Sequence, residues 1–208
     1  MAALTLVNSN LTSSLFVNPE IGLTTALAIK ARATTELAKA VFAQNELEVS
    51  AALAQGADPN GLEDLFNNIQ QPIFLRAANQ TPVSIVKLLL QGQAQINQTG
   101  QNGATALYSA VAGANAAVVQ YLLNANANPE LGLYESGCKP LELAASMSLN
   151  WPRPSIDSVK FLIQAKADVY GHSKESSPLL EATKSGNKTV IELLNSAQKA
   201  AVQLRVRE

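Results

Sequence analysis

The chain has 208 residues, with 15 Lys and Arg against 16 Asp and Glu, a formal charge of -1, and 47% apolar residues. A chain of this length buries a core without disulfides or structural metals, and the near-neutral balance offers no clustered cations for a phosphate backbone, so no nucleic-acid partner is expected. A single cysteine, Cys138, and a single histidine, His172, exclude an internal disulfide and a Cys/His structural zinc site; no metal or cofactor is expected.

The N-terminal "MAALTLVNSNLTSSLF" carries neither a basic leader nor an unbroken apolar stretch. Nowhere do about 18 apolar residues run together, so the expectation is a soluble, cytoplasmic protein with no membrane span. In "NPEIGLTTALAIKAR", Asn18 can cap a helix, Pro19 suits its first position and Glu20 its first turn. Residues 1–34 therefore read as an N-terminal segment whose helix caps the unit beginning at residue 35.

From residue 35 the chain repeats itself. "PIFLRAANQTPVSIVKLLLQGQAQIN" (72–97) and "TALYSAVAGANAAVVQYLLNANANPE" (105–130) share one order of small, apolar and turn residues. The same order recurs in "TELAKAVFAQNELEVSAALAQGADPN", in "KPLELAAS" with "SIDSVKFLIQAKADVY", and in "SPLLEATKSGNKTVIELLNSA". The units start at Thr35, Pro72, Thr105, Lys139 and Ser177, at steps of 37, 33, 34 and 38. Within each unit the apolar spacing predicts a short helix, a polar turn and a longer helix, as in Ile85, Val86, Leu88, Leu89 and Leu90. Turn-forming Gly, Asn, Asp and Pro separate the units. The last unit runs on as helix through 198–208, with Arg205 and Arg207 near its C-terminus.

These units resemble the ankyrin repeat. Gly103, Thr105, Leu107, Ala110, Val118, Val119, Leu122 and Leu123 fit the pattern in the third, and Gly56, Ala57, Asp58 and Asn60 close the first. The resemblance covers about residues 34 to 197 and implies an all-α repeat solenoid: one structural domain of stacked helix-turn-helix units with β-hairpin-type loops between them. Two departures stand out. The helix-starting Thr is Pro72, Lys139 and Ser177 in three units, and the His that follows the Leu is Ala38, Leu75, Tyr108, Glu142 and Leu180, which removes the polar bracing that His supplies.

No catalytic constellation is visible. Cys138 and His172 lie about one repeat apart, without an evident orienting residue, and read as ordinary loop residues; Glu63 and Asp64 read as a solvated pair. The protein is expected not to be an enzyme. The resemblance instead implies a monomeric protein-binding module whose concave groove takes a protein partner, with a bacterial effector acting on a host-cell protein as the alternative setting and an enzyme with a site in the inserted loops as the lesser one.

Carried onto this chain, the groove residues are Asn68, Gln71, Gln101, Asn102, Tyr134 and Glu135 in the loops before the inner helices, Asn79, Gln80 and Met147 at their ends, and Tyr108 in the place of the His. From Leu65 to Pro129 the only charges are Arg76 and Lys87, so this surface reads as amide-rich, either selective for a partner or idle. Leu131, Leu133 and Tyr134 sit at a turn tip, where they anchor a partner or pack on the neighbouring turn. Trp151 lies in "LNWPRP", a six-residue insertion that its two prolines are expected to keep non-helical. It either folds over the seam between repeats or stands out as an anchor.

Overall fold

A computed structural model describes residues 19–65, 69–147, 152–173 and 176–205. These residues are mostly helical, and the fold is an all-α repeat solenoid. The chain divides into two compact units, residues 1–58 and 59–208.

In the first unit, α1 (Pro19–Phe42) packs against α2 (Glu46–Ala54). Nothing between Glu20 and Phe42 breaks a helix once Gly22 is passed, so the capping helix expected within residues 1–34 and the first inner helix form one continuous helix of 24 residues. Leu37, Ala40, Val41, Val49 and Ala52 are buried in this unit. Asn45 starts α2, its side chain accepting hydrogen bonds from the backbone N–H groups of Leu47 and Glu48.

The second unit opens with an antiparallel hairpin, β1 (Leu62–Leu65) and β2 (Ile69–Pro72), in which Leu62 pairs with Pro72 and Leu65 with Ile69. Four helix pairs come next: α3 (Ile73–Gln80) with α4 (Val83–Gln91), α5 (Ala106–Ala112) with α6 (Ala116–Asn124), α7 (Pro140–Ser146) with α8 (Pro152–Gln164), and α9 (Pro178–Ser185) with α10 (Lys188–Arg205). The short helices pack in the order α3, α5, α7, α9, and the longer ones α4, α6, α8, α10 alongside. Ala77, Ala78, Ala110, Ala144 and Ala145 are fully buried where the short helices approach, and Ile85, Val86, Leu89, Val118, Val119, Leu122, Val159 and Leu162 fill the seams beside them.

α8 begins at Pro152, so Pro152 and Pro154 are part of a helix rather than of a non-helical insertion. The reason is positional: the first turn of a helix leaves its N–H groups unpaired, so proline loses nothing there, and its φ is already helical. Trp151 lies outside the described residues.

The ends of the longer helices repeat one motif. Gly56, Gln93, Asn126 and Lys166 each adopt a left-handed backbone, with φ of 85°, 70°, 65° and 62°. Each closes its helix by the same two hydrogen bonds, seen at Gln93 N to Leu90 O and at Ala94 N to Leu89 O. The first unit has the glycine that this conformation favours; Gln93 and Lys166 hold it against the clash of their Cβ atoms. Gln93→Gly and Lys166→Gly should each raise unfolding stability by about 1 kcal/mol, read as a higher midpoint in urea titration at unchanged slope.

Candidate functional site

Two surfaces of the second unit collect the residues that sequence reasoning assigns to a groove, and the short helices separate them. Turns carrying Gln71, Gln101, Asn102, Tyr134 and Glu135 stand at the N-terminal ends of α3, α5 and α7, while Asn79, Gln80 and Met147 stand at the C-terminal ends. A helix of seven or eight residues is about 10–12 Å long, so the two sets line opposite edges rather than one cluster. Asn68 and Trp151 lie outside the described residues.

The turn edge is rigid because each turn is bonded to the next. Residues 99–105 close through a bridge between Thr99 and Thr105, with Gly100 N donating to Ala104 O at 2.8 Å and Ala104 N to Asn102 Oδ1 at 3.1 Å. The following turn reaches back: Tyr134 N donates to Asn102 O at 2.9 Å, and the Tyr134 hydroxyl lies 2.8 Å from Thr99 Oγ1. A Cβ added at Gly103 would come within 2.8 Å of the Tyr134 ring, so only glycine leaves room for it, and φ of +88° favours glycine as well. Tyr134 thus packs on the neighbouring turn and is still 67% exposed. Gln101, Asn102 and Glu135 are exposed beside it, while Gln71 is half-buried.

Tyr108 serves the interior of this edge. It is half-buried on α5, and its hydroxyl faces the Cys138 thiol. Burial raises the Tyr108 hydroxyl well above the usual phenol range, and the nearby Cys138 and Glu142 add to the shift. Burial also raises the Cys138 thiol; Glu142 and Glu181 add to this, and the Tyr108 hydroxyl works against it.

The bracing that the absent histidines would have supplied comes from Glu142 in the fourth helix pair of the chain. Its carboxylate is 1% exposed, accepts a hydrogen bond from Lys139 N at 2.9 Å and another from His172 N at 3.2 Å, and lies 2.9 Å from His172 Nδ1. Glutamate at the histidine position and histidine in the next turn form the contact with the roles exchanged. The exchange was not readable from the repeat pattern, though the repeat spacing between Glu142 and His172 was its signal. Glu142 also orients the imidazole, which sequence reasoning left without an orienting residue. Even so, the Cys138 thiol lies beside the Tyr108 hydroxyl and donates to Lys139 O at 3.8 Å, with no hydrogen bond to His172 among the described residues.

At the opposite edge the amides are structural. Asn79 Nδ2 donates to Ser109 O and Asn115 Nδ2 to Thr81 O, both at 2.9 Å, which ties the ends of α3 and α5 together. A Cβ on Gly113 would collide with the Asn79 carbonyl. A shallow open basin of about 540 Å³ lies over these ends, lined by Asn79, Gln80 and Ala112 to Asn115.

The stack of paired helices with hydrogen-bonded turns between them is matched by the family model for ankyrin repeats (3 copies), over residues 27–133 and 73–172. The chain belongs to the ankyrin-repeat family. No curated protein matches it closely enough to count as a relative. Ankyrin repeats are in general protein-protein interaction modules and are typically non-catalytic. Among the described residues, no group of three or more His, Cys, Asp and Glu side chains could hold a metal ion, and no helix is long and apolar enough to cross a membrane.

Two measurements test this assignment of roles. Glu142→Gln should destabilise the chain by about 2–3 kcal/mol, because it withdraws a buried charge-assisted acceptor from three N–H groups; His172→Ala combined with it should cost less than the sum of the single changes in a double-mutant cycle. Cys138 should be alkylated by iodoacetamide in mildly alkaline buffer several-fold more slowly than free cysteine, since the raised thiol supplies little thiolate. A rate above that of free cysteine, abolished by His172→Ala, would restore a nucleophile-base pair.

Proposed function

We propose that this ankyrin-repeat protein binds a protein partner across the turn edge of its second unit, with Tyr134 as the anchor and Gln101, Asn102 and Glu135 around it, and performs no chemistry of its own. The observation that carries the reading is Tyr134: an aromatic ring two-thirds exposed, yet held by its backbone N–H, its hydroxyl and its contact with Gly103. An aromatic side chain fixed before binding has little conformational entropy left to lose, and buried aromatics dominate interface energetics. Tyr108 lies beneath, beside the Cys138 thiol. Glu135 is the single charge among the four named residues, so association should depend little on electrostatic steering.

The reading is tested by affinity capture from cell lysate followed by titration of the recovered partner against purified variants. Tyr134→Ala should weaken binding by at least about 30-fold, Tyr134→Phe should retain most of it, and the affinity should change less than about three-fold between low and high salt. Binding that survives Tyr134→Ala and fails with Gln80→Ala would move the site to the opposite edge.

A further inference from the structure

The basic groups beside the Tyr134 turn are all engaged, and one carboxylate there is left over. No Lys or Arg occurs from Leu88 to Cys138, a stretch that holds two carboxylates, Glu130 and Glu135. Lys139, the next basic residue, contacts Glu130 at 2.6 Å and Asp168 at 3.6 Å. His172, whose ring lies against Gly137, is bound to Glu142. Glu135 is exposed and makes no ion pair among the described residues. It follows Tyr134 in a tip closed by hydrogen bonds from Leu133 N to Cys138 O at 3.1 Å and from Gly137 N to Leu133 O at 2.9 Å. The tip therefore presents a fixed aromatic ring and, beside it, a carboxylate without a counter-charge. Elsewhere the chain supplies the cation itself: Lys87 Nζ lies 5.4 Å from the centre of the Tyr121 ring. Among the described residues no cation lies over the Tyr134 ring.

On the reading that the turn edge is the binding surface, we propose that Tyr134 and Glu135 form a subsite for one arginine side chain of the protein partner. A partner that buries Tyr134 also strips water from Glu135, and a carboxylate desolvated without a counter-charge opposes binding, so the partner must bring the cation. A guanidinium meets both groups at once. It is flat enough to stack on the ring, and its parallel N–H groups fit the two oxygens of a carboxylate. A lysine ammonium is a strongly hydrated point charge that does neither as well. Exposed Gln101, next to the Asn102 carbonyl that holds Tyr134 N, offers an amide oxygen for a further N–H. One exposed ion pair of this kind adds selectivity and leaves the salt dependence small.

Random peptides displayed on phage and selected on the immobilised full chain should converge on sequences that share an arginine, and selection on Glu135→Arg should put Asp or Glu in its place. In titration of an enriched synthetic peptide, changing the arginine to citrulline, its neutral isostere, should weaken binding at least about ten-fold, and changing it to lysine at least about three-fold. Against Glu135→Gln the citrulline change should cost much less, which a double-mutant cycle reads as coupling between the two groups. Peptides that need Tyr134 but share no arginine, or whose arginine is indifferent to Glu135→Gln, overturn the arginine subsite and leave the turn edge as the binding surface; equal affinity for lysine overturns it too. Peptides indifferent to Tyr134→Ala, or no enrichment at all, overturn the subsite and the binding surface together.

Discussion

In the second unit a side-chain oxygen in one turn accepts the backbone N–H of the next. Asn60 Oδ1 takes Gln95 N at 2.6 Å, Asn97 Oδ1 takes Asn128 N at 2.9 Å, and Glu130 Oε1 takes Asp168 N at 2.8 Å. The same three positions recur at the repeat spacing, and the last is reinforced by Lys139, which contacts Glu130 at 2.6 Å and Asp168 at 3.6 Å. Burial works against the Lys139 charge, but these carboxylates outweigh it and raise the group above the usual lysine range. A helix pair with one apolar face has no stable existence alone, and apolar packing between pairs is non-directional. The ladder fixes the register in which the faces meet, so the spacing of the turns, and everything mounted on them, depends on it.

This ladder also accounts for much of the amide content that the composition shows. Asn45, Asn115 and Asn187 cap α2, α6 and α10; Asn60 and Asn97 join turns; Asn79 and Asn115 join helix ends. The two readings open from the sequence, a partner-selecting surface or an idle one, omit a third use, in which the amide satisfies backbone groups of the adjacent repeat. An amide carries both a donor and an acceptor, so one side chain can close two backbone contacts, as Asn60 does with Gln93 O and Gln95 N. The interaction surface that remains is narrower than composition suggests.

The repeat was legible because its signals are local and periodic: the apolar spacing, the buried alanine pairs and the turn chemistry each recur near 33 residues. What escaped was of two kinds. Helix continuity through Thr35 and the helical start at Pro152 depend on position within a turn, which a repeat alignment does not weigh. The pairing of Glu142 with His172 and of Tyr108 with Cys138 depends on contacts between repeats, where the sequence shows two unrelated substitutions and the fold shows one exchanged contact. Tyr134 lay between these cases. The sequence left it either exposed at a turn tip or packed on the neighbouring turn; the structure has both, and its rigidity comes from Asn102 and Thr99, about one repeat away.

Glu142 has a further consequence for the order in which the array comes apart. Repeat stacks open from their ends, because a terminal pair has one neighbour to lose. Here, detaching α9 and α10 together with the turn that holds His172 breaks two of the three N–H contacts of Glu142 at once and opens its carboxylate to water. The C-terminal pair is therefore held to the rest of the stack by a polar contact as well as by apolar packing.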